Sequence, residues 1–186
     1  MDSGAESYRR FREQGDESGL VELIRDYKDG LIFYLSGYVG DLHTAEELAE
    51  DTFVRLGTRK PKDRGGGSFR TWLYTIGRNI AIDYLRQQKR RGMVPVEEIP
   101  ELTDEKADLE RVCIREERKI LVHRALNTLK PEYRQVLWLL YFEGFSTKET
   151  ASVMGKSVHS TETLAYRARQ ALKEKLKTEG IDSEEL

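Results

Sequence analysis

The sequence predicts an all-α protein of two small helical domains joined by an acidic, proline-containing linker, with a helix-turn-helix in the second domain. Three observations lead there. Apolar residues recur at helical spacing almost throughout, and no stretch alternates with the period of two that a sheet needs. The segment 92–108, GMVPVEEIPELTDEKAD, then breaks the pattern with Pro95 and Pro100 among acidic groups that repel one another into an extended chain. A chain of 186 residues accommodates two domains of roughly 70–90 residues each. The expected division is a domain over 1–91, the linker 92–108, a domain over 109–178 and an acidic tail 179–186.

Each element follows from local pattern. Leu20, Leu23, Ile24, Tyr27, Leu31, Tyr34, Leu35 and Tyr38 keep an i, i+3, i+4 rhythm and predict one helix. After the turn at Gly40-Asp41, a second stripe runs Ala45, Leu48, Ala49, Thr52, Phe53, Leu56. Pro61 ends that helix, three glycines form a loop, and Ser68 is placed to cap a third helix. Its stripe is Phe69, Trp72, Leu73, Ile76, Ile80 and Tyr84. Helical pattern resumes from about Leu109 to Asn127, and Pro131 opens the next helix at a position where its missing N–H is harmless.

The last elements form the helix-turn-helix. Ser146-Thr147-Lys148-Glu149 is a capping box, and Ala151 is small where two helices must cross closely. Gly155 ends the short helix, where a left-handed backbone is usual, and Ser157 can cap a longer one with Leu164, Ala168 and Leu172 inward. That geometry places a helix N-terminus in the DNA major groove, although any αα-hairpin can share it. Lys156, His159, Ser160, Thr163 and Arg167 would be its exposed, hydrogen-bonding face.

Charge supports a nucleic-acid partner once it is counted by segment. The net charge is −2, yet residues 60–92 carry +7 and residues 111–177 carry +7, against −6 over 1–59, −6 over 93–110 and −4 from 178 onward. Beyond about 8 Å the acidic segments are largely screened from the basic ones. The third helix adds aromatic residues to a basic end, Arg86, Lys89, Arg90 and Arg91, a combination suited to unpaired bases and their backbone. Trp72 shares a face with Ile76 and Ile80 and reads as core, which leaves Phe69, beside the glycine loop, better placed to touch a base. Asn79 lies off that face and reads either as a base-reading residue or as a buried polar link.

Several classes are disfavoured. An apolar content of 38% is too high for disorder throughout, and no apolar run reaches the roughly 18–20 residues a membrane span needs. The charged N-terminus lacks a signal core, and the single Cys113 cannot form an internal disulfide, so a cytoplasmic location is expected. Neither a metal cluster nor a catalytic constellation is visible, so no cofactor and no enzymatic activity are expected.

The chain resembles the extracytoplasmic-function sigma factors, the two-domain branch of the bacterial sigma-70 family. The resemblance rests on Thr44–Leu56 (TAEELAEDTFVRL), on Phe69–Asn79 (FRTWLYTIGRN) with Asp83 and Arg86, and on Leu129–Arg134 (LKPEYR) followed by Glu149-Thr150-Ala151 and Tyr166–Arg169. It implies that Glu47, Leu48, Asp51 and Phe53 meet the β′ clamp helices of core RNA polymerase, with the β subunit a further contact. It implies that Phe69, Trp72, Asn79, Asp83, Arg86, Lys89 and Arg90 take the melted −10 element, and that Lys156, His159, Ser160, Thr163 and Arg167 read the −35 duplex. An anti-sigma partner, often membrane-bound in the family, is also implied; insertion of this chain into a membrane is not. Glu50 departs from the family pattern on the polymerase-binding helix, and Lys156, Thr161 and Glu162 depart on the −35 helix, so the −35 sequence does not transfer from relatives. A stand-alone helix-turn-helix regulator and an interaction module without DNA are the competing classes. A simple regulator has no need of the Thr44–Leu56 helix or of the aromatic-basic helix.

Overall fold

The computed structural model describes residues 3–62, 67–92, 122 and 124–178, and every regular element among them is a helix. The N-terminal half holds α1 (Ser3–Gln14), α2 (Glu17–Val39), α3 (Leu42–Arg59) and α4 (Phe69–Arg90). The C-terminal half holds α5 (Pro131–Leu137), which runs on into a π-helical turn at Trp138–Phe142, then α6 (Thr147–Met154) and α7 (Val158–Thr178). Residues 63–66 of the glycine loop, the linker from 93, the tail from 179 and most of the helix expected over 109–127 lie outside the described residues.

Capping chemistry sets the boundaries. The Asp16 side chain accepts from Ser18 N–H to start α2, and Asp41 accepts from Thr44 N–H at 2.7 Å to start α3. The cap expected for the third stripe is present too: Ser68 Oγ accepts from Thr71 N–H at 3.2 Å. Lys60 ends α3 in the left-handed region at φ 41, directly before Pro61, and its ammonium lies 4.6 Å from the Phe11 ring centre. In the C-terminal half, Pro131 occupies the first turn of α5 and the Ser146–Glu149 capping box is complete. Gly155 closes α6 at φ 64, a conformation that costs any residue with a Cβ.

The three expected stripes meet in the N-terminal core. Leu31, Leu35, Leu56 and Leu73 are fully buried, and each such burial contributes about 1.5–3 kcal/mol. Helix α1 was not foreshadowed by any long stripe: it buries only Gly4, Ser7, Tyr8 and Phe11. Those suffice because Tyr8 donates its hydroxyl to the Pro61 carbonyl at 2.6 Å and Arg10 pairs with Glu22 at 2.8 Å.

The two halves are packed together. One apolar cluster runs from Phe33, Tyr34 and Tyr74 into Trp138, Leu139 and Phe145, and α4 lies against α6 while α2 lies against α5. No helix among the described residues is long and apolar enough to cross a membrane.

Candidate nucleic-acid interface

Helix α4 presents a basic outer face along its C-terminal half. Asn79, Asp83, Arg86, Lys89 and Arg90 are all exposed. They recur three or four residues apart, so most of them share one strip of surface. Arg86 Nη1 lies 3.4 Å from Asp83 Oδ1, a pairing that orients the guanidinium while leaving it in solvent. Lys89 and Arg90 occupy the last turn, where the helix dipole favours positive charge. The exposure of Asn79 removes the buried-link alternative and leaves both its amide groups accessible.

Aromatic order at the start of α4 is the reverse of the expectation. Phe69 is 1% exposed, with its ring 5.5 Å from Tyr8, 5.8 Å from Tyr27 and 5.6 Å from Trp72. Helix α1 lays Tyr8 over it, and Gly4 allows the close approach: a Cβ there would meet the Phe69 ring at 2.6 Å. Trp72 is the half-buried ring of the pair and keeps an edge in solvent. A base stacking at this end would therefore meet Trp72 first, with Phe69 supporting it from beneath.

The face of α3 is corrected in the same way. Glu47 and Asp51 are exposed, but Leu48 and Phe53 are 4% and 5% exposed and belong to the core. A groove of about 480 Å³ separates α3 from α4, lined by Asp51, Val54, Arg55, Ile80, Asp83 and Tyr84 among others. Val54 is 58% exposed there. Its position off the apolar stripe of α3 was the sequence signal that could have singled it out.

On α7, His159, Ser160, Thr163 and Arg167 are exposed, and Ser157 Oγ caps the helix by accepting from Ser160 N–H at 3.1 Å. Tyr166, 59% exposed, completes this face and was missed by residue-type reasoning. Thr161, one of the departures noted above, is fully buried and donates to the Ser157 carbonyl at 3.0 Å, so it serves the fold. Of the expected set, Thr163 Oγ1 is engaged within the helix, donating to the His159 carbonyl at 3.1 Å, and Lys156 is held from another helix. Its ammonium lies 3.2 Å from the Glu132 carboxylate, which ties the turn to α5.

Three perturbed ionisable groups, Arg134, Glu143 and Glu149, lie where the halves meet. Burial lowers the Arg134 guanidinium to about 10, and burial raises the Glu143 carboxyl, which the Tyr74 hydroxyl, Arg70 and Trp138 face. Glu149 is held below its ordinary value, first by the Ser146 backbone N–H and then by the hydroxyls of Ser146, Ser68 and Thr71.

Comparison with known proteins assigns a family pattern to each half. Residues 23–91 match the model of sigma-70 region 2, and residues 119–172 match that of sigma-70 region 4. The chain is 31% identical over 158 residues to the RNA polymerase sigma factor YlaC of Bacillus subtilis, covering 84% of this chain and 91% of that one. It is 29% identical over 173 residues to the ECF RNA polymerase sigma factor SigE of Mycolicibacterium smegmatis, 89% of this chain and 66% of that longer protein. In fold it is similar to the sigma factor RpoE of Bartonella quintana, solved in complex with the anti-sigma factor NepR. The TM-score is 0.62 at 23% identity, over 84% of this chain and 94% of that one.

Proposed function

From its membership of the sigma-70 family of RNA polymerase sigma factors, to whose extracytoplasmic-function branch this chain belongs, we propose how its two halves divide the work of promoter-specific transcription initiation. Residues 1–91 bind core polymerase and the −10 element, residues 109–178 bind the −35 element, and 92–108 link them. The observation that carries this division is the pair of exposed faces, basic on α4 and hydrogen-bonding with Arg167 on α7, one within each family match.

On α3, Glu47 and Asp51 meet the clamp helices of β′ directly, while Leu48 and Phe53 hold the helix from inside. On α4, Asn79, Asp83, Arg86, Lys89 and Arg90 take the melted strand, with Trp72 as the stacking ring and Phe69 behind it. On α7, His159, Ser160, Thr163 and Arg167 face the −35 duplex, and Lys156 acts there only when released from Glu132. RNA synthesis is the chemistry of the polymerase, and this chain supplies recognition. It acts in the cytoplasm, and an anti-sigma factor is its natural antagonist; the similar RpoE was solved with one.

The deciding experiment adds the purified chain to bacterial core polymerase and assays promoter-dependent transcripts. Core binding with transcripts that require both elements is the expected result. Tight, specific duplex binding without polymerase, together with no core binding, would replace this reading with that of a stand-alone regulator.

A further inference from the structure

We propose that Tyr8 of α1 is a positioning residue for the −10 strand: it joins the two flanks of the segment between α3 and α4, and so presents the Trp72 ring ready to stack. Its effect on DNA rests on the reading that α4 takes the melted −10 element; its hold on Trp72 rests on the contacts of α1.

Helix α1 precedes residues 23–91, the part matched to sigma-70 region 2, so that match gives it no task. Three of its four buried residues touch the flanks of the α3–α4 segment. On the α3 side, the Tyr8 hydroxyl donates to the Pro61 carbonyl at 2.6 Å, and the Phe11 ring centre lies 4.6 Å from the Lys60 ammonium. On the α4 side, the Tyr8 ring lies 5.5 Å from Phe69 and 5.2 Å from Trp72, and Gly4 leaves room for the Phe69 ring. A buried tyrosine needs a partner for its hydroxyl, and here that partner is the backbone just past α3.

These contacts do more than fasten α1, for it has a separate attachment to α2. Ser7 Oγ donates to the Glu22 carboxylate at 2.6 Å, and Arg10 pairs with Glu22 at 2.8 Å. A Cβ at Gly19 would strike the Ser7 carbonyl, so the two backbones touch there as well. The turn that Tyr8 and Phe11 hold is itself strained. Lys60 has the one positive φ outside glycine among the described residues, a conformation disfavoured for a residue with a Cβ. Such a turn persists where its surroundings over-determine it, and α1 supplies part of those surroundings.

The other end of the same side chain bears on the stacking ring. Trp72 is half-buried, with Tyr8 tilted against it at 52° and Phe69 at 58°. A ring held in place before a base arrives has less rotamer freedom left to lose on binding, which favours the stacked state.

The test uses the full chain. Tyr8→Phe removes the hydroxyl and keeps the ring, and Tyr8→Leu removes the ring contacts as well. Fluorine NMR of the chain carrying fluorinated tryptophan gives one resonance from each of its two tryptophans, Trp72 and Trp138. Tyr8→Leu should shift and broaden the Trp72 resonance and leave that of Trp138 in place. On core polymerase, the DNA probe is the single-stranded −10 segment of a promoter that the wild-type holoenzyme transcribes. Tyr8→Phe should weaken its binding about two- to tenfold, the equivalent of one net hydrogen bond lost from the competent arrangement. Tyr8→Leu should weaken it further, with affinity for core polymerase unchanged in both. If Tyr8 acts through Trp72, Tyr8→Leu should cause no further loss in a Trp72→Ala background. Lower melting temperatures with wild-type −10 affinity would reduce Tyr8 to a fastening of α1 and overturn the proposal. An unmoved Trp72 resonance, or losses that add in the double variant, would overturn the route through Trp72. Failure of wild type to bind core polymerase would retire the sigma-factor reading and the effect on DNA with it, while the Trp72 resonance still decides whether Tyr8 positions that ring.

Discussion

Glu149 starts two helices in two different halves of the chain. One carboxylate oxygen accepts from the Ser146 N–H at 3.0 Å to complete the capping box of α6, and the other accepts from Ser68 Oγ at 3.0 Å, at the start of α4. Thr71 Oγ1 donates to the same oxygen at 3.2 Å. A residue whose local role was visible as a cap is therefore also a tether between the halves.

Glu149→Ala should lower the melting temperature through loss of a cap, typically about 1 kcal/mol. It should also loosen α4 from α6, seen as faster amide exchange at Thr71. The pH dependence has a definite sign. Because the folded carboxyl titrates below its ordinary value of 4.5, its contribution is full above pH 4.5 and is lost as pH falls through the lowered value. An acid melt of the Ala variant that matched wild type would refute this.

Glu143 should act in the opposite direction. Burial raises its carboxyl above 4.5, so its contribution to folding stability is full below that value and declines as pH rises through the raised one. Glu143→Gln should flatten that decline, leaving the variant more stable than wild type at neutral pH. Thermal melts across pH 5 to 8 measure it, and parallel profiles would remove Glu143 from the interface energetics.

Phe69→Ala should behave as a core mutation. Its ring is fully buried, and emptying such a site costs about 3–5 kcal/mol, so the chain should melt at much lower temperature. Trp72→Ala should instead weaken binding of a single-stranded −10 oligonucleotide on the polymerase complex, at about 1–3 kcal/mol for one stacked base. The reverse pattern would restore Phe69 to the DNA.

Arg167→Ala should lower −35-dependent transcription by roughly five- to 150-fold, the range of one good base contact at about 1–3 kcal/mol. Lys156→Ala should do less, because its ammonium is paired with Glu132. Promoters lacking a −35 element provide the control. Equal sensitivity of both promoter types to Arg167→Ala would assign that arginine a phosphate and not a base.

Much of the fold is written in local pattern, and the reason is the short range of helix chemistry. The stripes of α2, α3 and α4, the caps at Ser68, Ser146 and Ser157, the proline entry to α5 and the glycine turn at Gly155 each depend on residues within about one turn. The family pattern was legible for the same reason, since its motifs lie within single helices. The first helix escaped notice because its buried set is short and includes Gly4 and Ser7, whose value comes from neighbours far along the chain.

Tertiary structure decided whatever depends on those distant neighbours. Tyr8 of α1 touches both Phe69 and Trp72, while Gly4 of α1 and Tyr27 of α2 close over Phe69, and Glu132 of α5 settles whether Lys156 is free. Leu48 and Phe53 lie on the inner side of the helix whose outer side carries Glu47 and Asp51. That the Gly30 and Gly37 carbonyls accept from Trp138 Nε1 and Gln135 Nε2 could not be read from their spacing, because a glycine has no side chain to announce a partner. Sequence alone determined the helices that carry long stripes and clear caps; packing determined the short first helix and which helix faces remain open, because burial is a property of pairs of helices and not of either one.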